Sequence, residues 1–155
     1  MENFNLLKFS NILLDTNFFI DVFGHENKYA PFFQEIKRTE STLVSIDFVR
    51  CEFIRSKTIE TLLPTDASIH ALAQSTIEEY GVDSEGVDPV DLYLACFLKR
   101  YKSLFLLTRN HQHFPQRIFT RNHIFNVELA KEIRTYALYQ YKPGRLEIEA
   151  QIPTQ

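Results

Sequence analysis

The chain has 155 residues, of which 45% are hydrophobic and 24% are charged. This length and composition are typical of one globular domain and exclude a disordered or low-complexity protein. The sequence contains no apolar run long enough to cross a membrane, and its first residues lack the basic start of a signal peptide. We therefore expect a cytoplasmic protein without a membrane partner. Cys51 and Cys96 have no zinc-ligand spacing and are interpreted as reduced core thiols.

The net charge of −3 conceals two segments of opposite charge. Residues 1–98 carry 7 Lys and Arg against 16 Asp and Glu, whereas residues 99–145 carry 10 against 2. A basic segment within an acidic protein is what a phosphate-binding rim beside a carboxylate cluster requires. Mutual neutralisation of the two segments across the fold explains the same charges about equally well.

The first half of the chain predicts strands that alternate with helices. A short apolar run over residues 11–14 indicates a buried strand, and two short helices follow at residues 16–22 and 29–37. A second strand is predicted at residues 43–46, directly before a helix over residues 47–60.

The second half continues the alternation. Residues 64–80 predict a helix that stops at a glycine, and a proline-led helix follows over residues 88–101. Strands are predicted at residues 104–107 and 124–127, with a last helix at residues 128–139. The pattern predicts an α/β fold with a doubly wound sheet. No linker or repeat divides it, so we expect one domain at 1–145 and a C-terminal tail at 146–155.

Three acidic residues occupy positions that hydrophobic residues would normally take. Asp15 directly follows a buried strand, Glu52 shares a helix face with apolar residues, and Asp91 heads the apolar stripe of its helix. Each also has a purely structural explanation. Asp15 is a favoured helix N-cap, Glu52 has Arg55 and Lys57 within salt-bridge range, and Asp91 suits the N3 position of a capped helix.

Together the three acids favour a metal site over three separate structural roles. Carboxylates brought close to one another repel unless a cation neutralises them. Oxygen ligands without His or Cys spacing favour Mg²⁺ or Mn²⁺. Such a metal activates water and stabilises charge on a phosphoryl oxygen, and the sequence leaves the number of metals open.

Four short segments carry a resemblance to the PIN-domain family, in particular to the VapC-like toxins. They are Ile-Leu-Leu-Asp15-Thr16-Asn17, Ser45 through Glu52, Pro89 through Ala95, and Leu107-Thr108-Arg109-Asn110 continuing to Phe114. The segments span residues 12–114. Each is weak alone, but their order and their placement at strand ends and helix starts make the combination fairly specific.

The resemblance implies a PIN-like three-layer sandwich, with a mostly parallel central sheet flanked by helices, and Mg²⁺- or Mn²⁺-dependent cleavage of RNA. It also implies a homodimer and a cognate antitoxin protein as partners. The site residues carried over are the metal ligands Asp15, Glu52 and Asp91, a fourth catalytic position at Asn110, and the supporting residues Asn17 and Thr108. Asn110 departs from the Asp that many members have, which puts a second metal in doubt.

Basic and histidine side chains near this site are candidates for substrate contacts. Arg109 adjoins the expected site, and Arg117 and Arg121 belong to the basic segment, so all three are predicted to bind nucleic acid. The histidines His111, His113 and His123 are expected to be mostly exposed rather than catalytic.

Two other function classes remain open at this point. A catalytically silent PIN-like scaffold that binds RNA or a protein would suit the uncharged Asn110. A phosphohydrolase of the DxD type is disfavoured, because Asn17 stands where its second acid would act.

Overall fold

The computed structural model describes residues 8, 10–52, 62–63 and 65–143, apart from the side chains of residues 50–52 and 62. Its elements, in chain order, are β1 (Asn11–Leu14), α1 (Thr16–Arg38), β2 (Thr42–Ile46), α2 (Asp47–Glu52), β3 (Leu62–Leu63), α3 (Ala67–Tyr80), α4 (Pro89–Arg100), β4 (Phe105–Thr108), β5 (Phe119–Glu128) and β6 (Ile133–Tyr141). Short 3-10 helices lie at Gly81–Ser84 and His111–His113. The predicted helix residues 53–60 fall outside the described part of the chain.

The described strands form a six-stranded sheet in the order β3-β2-β1-β4-β6-β5 at the centre of the fold. The first four strands in that order are parallel, whereas β6 pairs antiparallel with both β4 and β5. The α/β class is therefore confirmed, but the sheet is mixed and the expected mostly parallel arrangement is not confirmed. Helices α1 and α4 pack against the sheet, and α3 packs on α4.

The helix predicted at residues 128–139 is wrong, because most of this segment belongs to β6. The segment is rich in β-branched and aromatic residues, which favour strands. Tyr136 through Tyr139 are all buried because β6 lies between two other strands and is covered on both faces. The tyrosines of β6 therefore lie in the hydrophobic core.

Helix α1 joins the two short helices that the sequence predicts. The backbone at His25 leaves the helical region, with φ −147° and ψ 41°, so the two predicted helices meet at a kink. Pro31 lies in the second part. The apolar face of α1 buries Phe18 and Phe32 in the hydrophobic core.

Local capping fixes the start of α3 and α4. The Asp66 carboxylate accepts from the backbone N–H groups of Ser68 at 2.9 Å and Ile69 at 3.2 Å. Asp88 accepts from the N–H of Val90 at 2.8 Å, and a proline follows it at the first helical position. The first turn of α4 lies near the carboxyl end of β4, because Asp91 accepts a hydrogen bond from Asn110.

Candidate active site

Asp15 lies at the carboxyl end of β1 and is only 5% exposed. It takes the N-cap position of α1, but its side chain makes no capping hydrogen bond there. Its Oδ2 instead accepts from the hydroxyl of Thr108 at 2.5 Å and from Nδ2 of Asn17 at 2.5 Å. The carboxylate is therefore oriented by neighbouring side chains at the sheet edge, as a ligand would be.

Thr108 joins three residues of the site through one fully buried hydroxyl group. While donating to Asp15, this oxygen accepts from Nδ2 of Asn17 at 3.1 Å and from the backbone N–H of Asn110 at 2.9 Å. Since β1 and β4 are adjacent parallel strands, their carboxyl ends bring Asp15 and Thr108 together. Asn17 and Thr108 thus both hold the Asp15 carboxylate in place.

Asp91 forms the second half of the site, in the first turn of α4, and is 4% exposed. Its Oδ2 accepts from Nδ2 of Asn110 at 2.6 Å and makes a short contact with Nδ1 of His113. Asp88 supplies the cap of this helix, so Asp91 is not needed for that role. Burial raises the pKa of Asp91, although its contacts with His113 and Asn110 oppose this effect.

The structure brings five of the predicted site residues into one hydrogen-bonded network. Asp15, Asn17 and Thr108 form one part, and Asp91 and Asn110 form the other, with the bond from the Asn110 backbone to Thr108 between them. These residues come from three separate segments of the chain, at residues 15–17, 91 and 108–110.

The third predicted acid, Glu52, ends α2, and its side chain lies outside the described residues. Its alternative salt bridges to Arg55 or Lys57 lie outside them as well. The role of Glu52 therefore stays a prediction.

The oxygen donors at the site are of the type that a hard divalent cation prefers, but the described residues supply few of them. Within residues 10–49 and 65–143, no three His, Cys, Asp or Glu side chains group closely enough to hold a metal ion. Two buried carboxylates, Asp15 and Asp91, and the amide of Asn110 are the site's own donors. Their chemistry fits Mg²⁺ or Mn²⁺, and Glu52 would add the further charge that such a site needs.

His113 is a member of the site that the sequence underrated. Its side chain is 15% exposed, and Nδ1 lies 2.8 Å from Nδ2 of Asn110 as well as contacting Asp91. The expectation that it is an exposed loop histidine is wrong. His111 is likewise held, with Nδ1 2.9 Å from the hydroxyl of Tyr139, and burial lowers its pKa. His123 lies on β5.

A buried acid that the sequence analysis missed lies next to this network. Asp21 in α1 is 1% exposed and pairs with the guanidinium groups of Arg109 and Arg134. It also accepts a hydrogen bond from the hydroxyl of Tyr136. Its sequence signal was available, because Asp21 follows Asn17 by four residues and so shares its helix face.

The other predicted nucleic-acid-binding residues have different surroundings. Nε of Arg117 lies 2.7 Å from the carboxylate of Asp83, and its NH1 donates to the carbonyl of Glu79 at 2.7 Å. These contacts hold the turn after α3. Arg121 is exposed on β5 and pairs in the sheet with Tyr139. A role for either in binding nucleic acid stays a prediction.

No model of a known protein family matches this chain, and no curated protein matches it. In the described part of the chain, every helix is too short or too polar to cross a lipid bilayer.

Proposed function

We propose that the protein is a metal-dependent endoribonuclease that hydrolyses RNA phosphodiester bonds. The observation that carries the proposal is the hydrogen-bonded network that joins Asp15 to Asp91 through Thr108 and Asn110. Hydrogen bonds orient these two buried carboxylates beside the carboxyl ends of the parallel strands, and a bound cation would neutralise their charge. A function that uses a cation explains why they are there.

The chain's own residues would hold and orient the ligands. Asn17 and Thr108 fix the rotamer of Asp15, and Asn110 and His113 fix that of Asp91. When bound by Asp15, Asp91 and Glu52, Mg²⁺ or Mn²⁺ supplies an activated water and stabilises negative charge on a phosphoryl oxygen. The burial of both described carboxylates keeps competing water away from them.

The proposal includes partners that rest on the resemblance alone. They are RNA as the substrate, a second copy of the chain in a homodimer, and a cognate antitoxin protein in the cytoplasm. Arg109, beside the network, is the residue we assign first to the RNA backbone, with Arg117 and Arg121 further along the basic segment.

The test is cleavage of a labelled single-stranded RNA by the purified full chain with Mn²⁺ or Mg²⁺. We expect Asp15→Asn and Asp91→Asn to lose more than roughly a hundredfold in rate, because even residues that merely support metal ligands contribute 10- to 100-fold. Asp66→Asn is the matched control, since asparagine caps a helix as well as aspartate does. Intact RNA with the unsubstituted protein, or equal cleavage by Asp15→Asn, would contradict the proposal.

The second candidate is a catalytically silent scaffold that binds RNA or a protein. Its supporting observation is that Oδ2 of Asp91 already has two partners, Asn110 and His113, and that Asn110 brings no charge. This candidate predicts RNA or protein binding that is unchanged by divalent metal and by Asp15→Asn.

A further inference from the structure

The buried carboxylate of Asp21 pairs with two arginines whose side chains differ in exposure. The side chain of Asp21 is 0% exposed, that of Arg134 is 18% exposed, and that of Arg109 is 43% exposed. Arg134 is held a second time by Glu132, whose Oε1 accepts from its Nε at 2.7 Å. Arg109 meets Asp21 through its Nε at 3.1 Å. Its guanidinium is therefore anchored on one side and open to solvent on the other.

The position of this pair follows from the geometry of α1. Asn17 and Asp21 are one turn apart on the same face, and they contact the consecutive residues Thr108 and Arg109. The Asn17–Thr108 contact, which supports Asp15, and the Asp21–Arg109 contact therefore lie one turn apart along α1. The Arg109 guanidinium is therefore held one helical turn along α1 from Asn17, a member of the carboxylate network.

Hydroxyl groups complete the support of Asp21. The Tyr136 hydroxyl donates to Asp21 and lies 3.0 Å from the hydroxyl of Tyr29, and both side chains are fully buried. Burial raises the pKa of Tyr136, which keeps this hydroxyl protonated and able to donate. The Asp21 carboxylate thus contacts Arg109, Arg134 and Tyr136. The contacts with Arg134 and Tyr136 fix its position when the Arg109 side chain moves.

We propose that Asp21 is a positioning residue that holds Arg109 as a phosphate-binding residue for the RNA backbone beside the carboxylates. The inference rests on the proposed function. A guanidinium binds phosphate through a planar fork of N–H groups, and anchoring Nε on a buried acid leaves the other N–H groups aimed outward. Ordering the side chain in advance removes an entropic cost that an unrestrained arginine would meet on binding.

The experiment measures the binding of a labelled oligouridine to the full chain by fluorescence anisotropy across a KCl series. All variants carry Asp15→Asn, which by the proposed function leaves the RNA uncut. We expect Arg109→Gln to weaken binding on the order of tenfold and to lower the log–log salt slope by about 0.7, as one lost phosphate contact on a single strand does. Arg38→Gln is the matched control, because Arg38 pairs with Glu35 on an exposed helix face. Its affinity and slope should stay unchanged.

The positioning role is tested by combining substitutions. Asp21→Asn should weaken RNA binding, and adding Arg109→Gln should then cost much less than it does alone. Tyr136→Phe, which removes only a hydroxyl, gives the same comparison if Asp21→Asn fails to fold. Arg109→Lys should restore the salt slope but not the full affinity, because lysine keeps the charge without the fork.

The outcomes separate the two proposals. Unchanged affinity and slope in Arg109→Gln, with RNA still bound, would overturn this inference and leave the nuclease proposal standing. Full additivity of Arg109→Gln with both Asp21→Asn and Tyr136→Phe would overturn the positioning role. Failure of the unsubstituted chain to bind or cut any RNA would overturn the proposed function as well.

Discussion

Replacing Thr108 by valine removes the hydroxyl that joins the two halves of the site while keeping the shape of the side chain. In the structure this oxygen donates to Asp15 at 2.5 Å and accepts from Asn17 at 3.1 Å and from the Asn110 backbone at 2.9 Å. Thr108 is 0% exposed, so solvent has no direct access to the groups that lose their partner. The substitution therefore tests whether the network stabilises the fold.

The magnitude follows from the bonds that are lost. A hydrogen bond to a charged group contributes about 1.5–3 kcal/mol, and a buried N–H left without a partner costs about 1–3 kcal/mol. The extra methyl group of valine returns about 0.8 kcal/mol. We expect Thr108→Val to lower the free energy of unfolding by about 3 kcal/mol, which corresponds to a fall in Tm of roughly 6–12 °C for a chain of this size.

The assay is equilibrium unfolding in urea without added metal, with Thr76→Val as the matched control. Thr76 is also buried, but its hydroxyl donates to the carbonyl of Leu72 at 2.7 Å within its own helix. That substitution should cost at most about 1 kcal/mol, because the carbonyl can keep its helical partner. If Thr108→Val costs no more than Thr76→Val, the hydrogen bonds of Thr108 do not stabilise the fold.

Three further outcomes follow from the structure. Burial raises the pKa of Asp91 in the folded protein above its ordinary value of 3.8. Protonated Asp91 therefore stabilises the folded state fully below pH 3.8, and this stabilisation is lost as the pH rises through the folded-state pKa. In metal-free protein, Asp91→Asn should therefore gain stability relative to wild type between pH 4 and pH 7, measured by urea unfolding; a relative loss would mean that the His113 pairing outweighs burial. Leu138 is fully buried in β6, so Leu138→Ala should lower the free energy of unfolding by about 2–5 kcal/mol. Ile133 in the same strand is 63% exposed, so Ile133→Ala should lower it by under about 0.5 kcal/mol. Similar losses for the two variants would argue against a buried β6. Cys96 is buried, and burial raises the pKa of its thiol. In a Cys51→Ser background, Cys96 should therefore react with an aromatic disulfide only as fast as the protein opens. Fast reaction of the folded protein would contradict its burial.

The parts of the fold that the sequence predicted well depend on local physical chemistry. The proline-led start predicted near residue 88 matches α4, because capping is settled within a few residues of the chain. The helix predicted from residue 64 begins at Ala67, after its Asp66 cap. The apolar run before Asp15 marked a strand buried on both faces. Asp15 and Asp91 were identified as unusual because a carboxylate in an apolar setting needs a partner.

The parts that it missed depend on contacts between distant segments. The continuously buried part of β6, Tyr136 through Tyr139, is a short apolar run, and periodicity alone cannot separate a central strand from a buried helix. Asp21 has its partners Arg109 and Arg134 far along the chain, and only the folded sheet brings them together. The contact of His113 with Asp91 arises in the same way, from the loop after β4 meeting the start of α4.

Titration calorimetry of Mn²⁺ into the metal-free protein, with Asp15→Asn and Asp66→Asn beside the unsubstituted chain, tests the central claim most directly. We expect saturable Mn²⁺ binding by the unsubstituted chain and by Asp66→Asn, and loss of that binding in Asp15→Asn. Absence of binding by the unsubstituted chain at millimolar Mn²⁺, with RNA present, or equal binding by Asp15→Asn, would contradict the assignment of these carboxylates to a metal.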